Sequence, residues 1–365
     1  MIYKQNLKTL RNTILTGFFL ISGFTLSAQH LLKVGVAGLT HDHVHNIMNQ
    51  FARKEVIIVG IVEENEQLVN RYKKNYKLPD SLFFKTLSSL LKKTKPDAVL
   101  AYNAISEHLS VVEICAPKGI AVMVEKPLAT TYKDAERIAF LAKQHHVQVL
   151  TNYETTWYNT NQQLNELVND RNEIGPIRKM VVHSGHEGPK EIGCSPDFLK
   201  WLTDPVKNGG GAVRDFGCYG ANLMTWLMKG KTPKAVTATI KHIKPSVYPN
   251  VDDDATIVLE YENATGIIEA SWNWPFGIKD MEVFGVRGYY HALNGNTMQK
   301  REKSTYENIT VKPAVYQDNI PYLADVLNGK VNPSNDLSSL ENNLIVVKIL
   351  EAASKSAKEG KRIEL

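Results

Sequence analysis

The stretch Lys33-Val34-Gly35-Val36-Ala37-Gly38-Leu39-Thr40-His41-Asp42-His43 decides how the chain folds. An apolar strand runs into Gly38, turns, and gives way to helical spacing from residue 43 onward. A turn of this kind aims backbone N–H groups at an anion, and the helix dipole favours a phosphate there. A dinucleotide fingerprint Gly-x-Gly-x-x-Gly counted from Gly38 asks for glycine at 40 and 43. The chain has Thr40 and His43 instead. The motif alone is therefore weak, and a side chain at either position crowds a pyrophosphate.

The surroundings strengthen the reading. Apolar strands at 31–38, 55–63, 97–103, 121–125 and 147–151 alternate with helical spacing at 43–53, 65–76, 87–93, 107–118 and 132–145. That alternation predicts a doubly wound parallel sheet, covered on both faces. Past residue 152 the pattern changes. A helix at 161–169 leads to a strand at 177–184. Further strands at 235–243, 255–261, 266–272 and 281–284 follow with short turns, which predicts an open, mostly antiparallel sheet. A helix at 213–228 interrupts them, and helices at 321–327 and 340–358 close the chain. The predicted organisation is a leader at 1–29, a nucleotide-binding domain at 30–152 and a second α/β domain at 153–365.

The chain has 365 residues, 43 Lys and Arg against 38 Asp and Glu, and a formal charge of +5. Lys4, Lys8 and Arg11 precede an apolar run at 13–26 that ends in Ser27-Ala28-Gln29. A basic stretch, an apolar stretch and small residues describe a Sec-type leader, so the protein is expected to be exported, to the periplasm. The run is shorter than the about 20 residues a span requires; a retained anchor is the alternative. Without the three leader bases the charge is nearly balanced, and no basic block carries interleaved aromatics, so no nucleic-acid partner is expected. Cys115, Cys194 and Cys218 form no Cys-x-x-Cys pair, and no metal is expected. Cys115 reads as core packing, and a Cys194–Cys218 disulfide is a minor alternative.

Glu63 closes the second strand 25 residues after Gly38. An acid there hydrogen-bonds an adenosine ribose and repels a 2′-phosphate, which favours NAD over NADP. His41, His43 and His45 suggest a metal, but only the first and last share a helix face; a place beside cofactor phosphates, with His43 among the cofactor contacts, is the preferred reading of the cluster, and a solvated or capping role is the alternative. At Val124-Glu125-Lys126-Pro127 an apolar strand ends in an acid and a lysine. A lysine at the carboxyl end of a parallel strand can polarise a hydroxyl or carbonyl oxygen. Asp252-Asp253-Asp254 reads as a solvated turn rather than a calcium loop. Ser271-Trp272-Asn273-Trp274 reads as sheet packing.

With these residues the chain resembles the Gfo/Idh/MocA oxidoreductases across its length after the leader. Glu125-Lys126-Pro127 is similar to that family's Glu-Lys-Pro motif, whose lysine contacts substrate and nicotinamide. His108 and Asn103 match its helix-start histidine and the loop over the cofactor. Gly209-Gly210-Gly211 through Asp215-Phe216-Gly217-Cys218-Tyr219 is similar to its second signature, in the tyrosine form found in glucose–fructose oxidoreductase and dihydrodiol dehydrogenase relatives. The resemblance implies Lys126, Tyr219 and Asp215 as catalytic residues. It implies a cofactor, NAD or NADP, held by Gly38, Leu39, Thr40, His43, Glu63, Asn103, His108, Glu125 and Lys126. It also implies a homo-oligomer. Trp157, His183 and His186 are the candidate contacts to a carbohydrate substrate; no arginine stands near Trp157 to clamp an anion.

The reaction expected is hydride transfer between a sugar-like secondary alcohol and nicotinamide. Export to a compartment poor in free NAD implies a tightly bound, recycled cofactor. Two other readings stand beside it. One is an NAD-assisted glycosidase or lyase passing through a 3-keto sugar without net redox. The other is a carbohydrate-binding relative with no activity.

Overall fold

The opening strand becomes β1 (Lys33–Ala37) in a computed structural model that describes residues 31–365; the leader expected at 1–29 lies outside those residues. With β2 (Ile57–Val62), β3 (Phe83–Phe84), β4 (Ala98–Ala101), β5 (Ala121–Glu125) and β6 (Val149–Asn152) it forms a parallel sheet in the order 3-2-1-4-5-6. β4 and β5 are buried along their whole length, which is why they carry apolar residues on both faces. The helices α1 (Val44–Ala52), α2 (Glu66–Tyr76), α3 (Leu87–Lys93), α4 (His108–Cys115) and α5 (Tyr132–His145) cover it. Local chemistry sets their starts. The Asn65 side chain caps α2, Thr86 and Ser89 form a capping box on α3, and Thr131 caps α5. Strand order reverses between β1 and β4, so the turns after these strands part and leave a crevice.

The rest of the chain builds a second sheet in the same compact unit. Its strands are β7 (Ile177–Gly185), β8 (Ala235–Lys241), β9 (Asp254–Glu260), β10 (Thr265–Ser271), β11 (Ile278–Gly285), β12 (Tyr289–Ala292), β13 (Met298–Arg301), β14 (Glu307–Ile309) and β15 (Ile363–Glu364). The order is 14-13-12-11-7-10-9-8-15, antiparallel except where β10 pairs with β7. Helices α6 (Asn159–Asn165), α7 (Pro196–Leu202), α8 (Ala212–Asp215), α9 (Gly217–Leu227), α10 (Asn319–Leu327) and α11 (Leu340–Glu359) complete the fold. Every residue of α9 is buried, between the sheet and α11. α10 returns to the first sheet, where Ile320, Tyr322 and Leu323 join the core of Val34, Val36 and Leu100. No helix among the described residues is long and apolar enough to cross a membrane.

Several expectations change. The helix expected at 213–228 breaks at Phe216 into α8 and α9, so Asp215 and Tyr219 do not share one helix. α7 was not expected, although Ser195 caps it and Pro196 opens it. The short strands β3 and β12 to β15 are also absent from the sequence reading, because runs of two to four residues carry too little periodicity. Asp252 and Asp253 are not solvated. The Asp252 carboxylate accepts from Gly211 and Val213 N–H at 2.8 and 2.7 Å, and Asp253, fully buried, from Ile243 and Lys244. All three cysteines are free.

Candidate active site

The crevice after β1 and β4 opens into a cleft of about 510 Å³ lined by Gly38, Thr40, Glu63, Asn103 and Glu107, among others. Gly38 has φ +85°, and a Cβ on it would stand 2.7 Å from Asn103 Cβ. Glycine is required there so that the two turns can meet. Leu39 N–H donates to Glu63 Oε2 at 3.1 Å, and Asn65 N–H donates to Oε1 at 2.9 Å. Glu63 thus braces the phosphate turn while facing the cleft. Asn103 Oδ1 and His108 Nε2 are buried without a partner. Unsatisfied buried polar atoms carry a cost unless something completes them. His108 Nδ1 faces the Leu128 carbonyl at 3.1 Å, and burial pushes its pKa down to about 4. The ring is neutral, and Nε2 is left as an acceptor.

His43 does not stand loose over the turn. Its Nδ1 lies 2.9 Å from Glu125 Oε2, and Asn152 Nδ2 donates to Glu125 Oε1 at 2.9 Å. Burial works against the Glu125 charge, but His43 and Asn152 outweigh it and hold the carboxyl below its ordinary range. His41, His43 and Glu125 bring three potential ligand atoms within 4.8 Å of one another. However, His41 Nδ1 accepts from His43 N–H at 3.1 Å. That leaves the His41 proton on Nε2, the atom a cation would need, and burial keeps the ring neutral.

Lys126 follows β5 and is buried. Its ammonium donates to the Asp215 carboxylate and, at 3.1 Å, to the Asp215 carbonyl. Trp272 Nε1 donates to the other Asp215 oxygen at 3.0 Å. Burial opposes both charges, and the pairing overcomes it, raising the Lys126 pKa and lowering that of Asp215. The Lys126 ammonium stands 5.1 Å from the centre of the Tyr219 ring. Burial, followed by the charge of Glu154, holds Tyr219 well above its ordinary pKa, so it rests as the phenol. The Tyr153 ring meets Tyr219 edge-on at 5.6 Å, and His186 meets Phe216 edge-on at 4.8 Å. Burial lowers the His186 pKa.

Lys126, Asp215, Tyr219 and His186 therefore converge. Trp157 and His183 do not join them. Trp157 packs on Tyr322 of α10 at 5.4 Å in a separate groove, and touches the site only through Asn152, to which its Nε1 donates at 3.1 Å. His183 turns to the opposite face of the sheet. Its Nδ1 lies 2.7 Å from Asp280, which His291 also reaches at 3.0 Å; burial opposes the Asp280 charge, but these partners bring its pKa down to about 2. Strand parity is the reason, since Met180 and Val182 fill the core and put His183 outside. Three residues at the site were not singled out as functional. Trp272 was read as packing, and Glu154 and Lys279 form an ion pair beside Tyr219. Parity with buried Met281 and Val283 was the available signal for Lys279.

The segment between β7 and β8 also roofs the cleft. Ser195 N–H donates to Asp42 at 2.9 Å, Trp201 Nε1 to the Thr40 carbonyl at 3.3 Å, and Arg71 to Asp197 at 2.7 Å. Ser106 N–H donates to the Lys207 carbonyl at 3.0 Å. Residues 195–207 thus strap both turns of the crevice.

Residues 32–153 match the oxidoreductase family with an NAD-binding Rossmann fold, Gfo/Idh/MocA, and residues 161–291 match the Gfo/Idh/MocA C-terminal domain. The trans-1,2-dihydrobenzene-1,2-diol dehydrogenase of Xenopus tropicalis is 22% identical over 56% of this chain and 57% of its own length. The D-xylose 1-dehydrogenase (NADP+) of Haloarcula marismortui is 27% identical over 45% of this chain and 44% of its own. The matched part of the chain spans about half the length of these curated relatives. The crystal structure of the aldose–aldose oxidoreductase of Caulobacter crescentus with glycerol has the same fold, at a TM-score of 0.77 and 22% identity, over 92% of this chain and all of that one.

Proposed function

The chain belongs to the Gfo/Idh/MocA oxidoreductases, and from that premise we propose that it is an exported enzyme moving hydride between a sugar-like secondary alcohol and NAD. The observation that carries the reading is the convergence of Lys126, Asp215 and Tyr219 from three separate elements. Gly38, Leu39, Thr40, Glu63 and Asn103 would hold the cofactor. The orphaned Asn103 and His108 atoms and the free length of the cleft fit such a group. When bound, the nicotinamide supplies the hydride acceptor or donor.

In this reading Tyr219 manages the proton of the reacting oxygen. As the resting phenol it donates to a substrate carbonyl in the reductive direction and recovers the proton in the other. Lys126 orients the same oxygen and stabilises charge that develops on it. Asp215, fixed by Trp272, keeps the lysine charged in a buried place and offers an acceptor to a neighbouring hydroxyl. Glu125 steadies the end of β5 through His43 and Asn152. Glu63 at the cleft favours NAD over NADP. The leader-like residues at the N-terminus support export, and the strap over the cleft supports a cofactor that leaves slowly. Copies of the chain are expected to pair through the outer face of the second sheet.

The test is to denature the purified protein, identify any released nucleotide by mass, and follow sugar conversion at 340 nm. Released NAD with a stoichiometric absorbance change upholds the proposal. Product without that change points to the 3-keto elimination route or to internal recycling of a bound cofactor. No nucleotide bound or taken up sinks both.

A further inference from the structure

The charges around Tyr219 carry information about what the site accepts. The Lys126 ammonium is neutralised by Asp215, and the Lys279 ammonium by Glu154. Lys279 stands 4.7 Å from the centre of the Tyr219 ring, closer than Lys126 at 5.1 Å. It reaches the site from β11, while Glu154 comes from the segment after β6, so the pair bridges the two sheets beside Tyr219. Tyr158 O–H donates to the second Glu154 oxygen at 2.8 Å and fixes its direction. Glu125, the remaining carboxylate, is bonded to His43. Both ammonium groups are thus already matched, and His186 is kept neutral by its burial.

A sugar acid or sugar phosphate brings at least one negative charge into this arrangement. To be recognised it needs a cation with no partner, or one it can take from its partner. Resting on the oxidoreductase reading, we propose that the Glu154–Lys279 pair sets substrate class: the site selects uncharged polyols and turns away sugar acids and sugar phosphates. Glu154 is the specificity-determining group, because it consumes the ammonium that would otherwise greet an anion. An anion that gives up its water here finds no unpaired ammonium in return, which opposes its binding by roughly tenfold. Glu154 is partly exposed, so the discrimination weakens with added salt.

The experiment uses matched probes that differ only at C6: D-glucose with D-glucuronate and D-galactose with D-galacturonate. Calorimetric Kd and kcat/KM are measured for the full protein with NAD+ present, at low and high ionic strength. The neutral member is expected to be favoured by roughly tenfold or more at low salt. Glu154→Gln should bring that preference close to unity by freeing Lys279. Lys279→Gln should widen it, because Glu154 then stands unmatched. Opposite shifts from two neighbouring variants separate a charge effect from a folding defect. Equal use of both members by the wild type, or a preference that neither substitution moves, overturns this inference alone. Binding of neither member by the wild type or either variant overturns the sugar oxidoreductase reading, and this inference with it.

Discussion

At the scale of the residue, the site turns on one buried ion pair. Asp215 is held below its ordinary pKa because the nearby Lys126 outweighs burial. Its contribution to stability is therefore present above the unfolded carboxylate pKa and lost as pH falls through the folded value. Lys126→Met removes the partner and reverses the sign, since burial alone raises a carboxyl pKa. Turnover should be abolished. At pH 7 the variant should lose about 3–5 kcal/mol, the usual cost of stranding one member of a buried pair. Much of that loss should be regained by about pH 4, the ordinary carboxylate value, because the stranded, buried Asp215 takes up its proton above it. Urea melts at the two pH values, beside the 340 nm assay, check both halves. Equal destabilisation at both would show that Asp215 does not carry a buried charge.

At the scale of the element, α9 decides whether Tyr219 stays in place. The helix lies so close to β10 that a Cβ on Gly220 would stand 2.6 Å from Ile268 Cγ2 and 2.8 Å from Cγ1. Alanine is worth about 1 kcal/mol over glycine within an exposed helix. Overpacking a tight core costs about 1–3 kcal/mol. Ile268 is β-branched and fully buried in the central part of the sheet, with little room to yield. Gly220→Ala is therefore expected to destabilise despite its better helix propensity. It should also lower kcat by moving Tyr219, one residue away. Chemical denaturation and steady-state kinetics would show it, and a stabilised variant would mean that the helix and sheet can part at no cost.

At the scale of the whole molecule, the strap at 195–207 joins the second sheet to both turns of the nucleotide crevice. A bound nucleotide can leave only if these ties open or are bypassed. The Asp42 carboxylate, accepting from Ser195 N–H at 2.9 Å, is a charged tie of the kind worth about 1.5–3 kcal/mol. Asp42→Ala should release NADH about tenfold faster, with a much smaller change in thermal unfolding, because it acts on opening rather than on the cores. Stopped-flow fluorescence of bound NADH measures the rate. An unchanged rate would place the exit elsewhere.

The parallel sheet and its helices were legible because periodicity and capping act over a few residues, as Asn65, Thr86 and Thr131 do here. Lys126 and Tyr219 were legible as motifs, on the ends of elements whose order was clear. The Asp215 partnership with Lys126 joins residues 89 apart, and Trp272 and Lys279 arrive from yet other strands. No local pattern encodes such meetings. His183 and Trp157 show the same limit from the other side, since side-chain parity and the return of α10 carried them away from the site. The sequence by itself determined the longer elements, the crevice at the end of β1 and the residues proposed to handle the proton. Only the tertiary structure decided which charges meet, because a charge in a half-buried cleft is defined by its nearest partner in space.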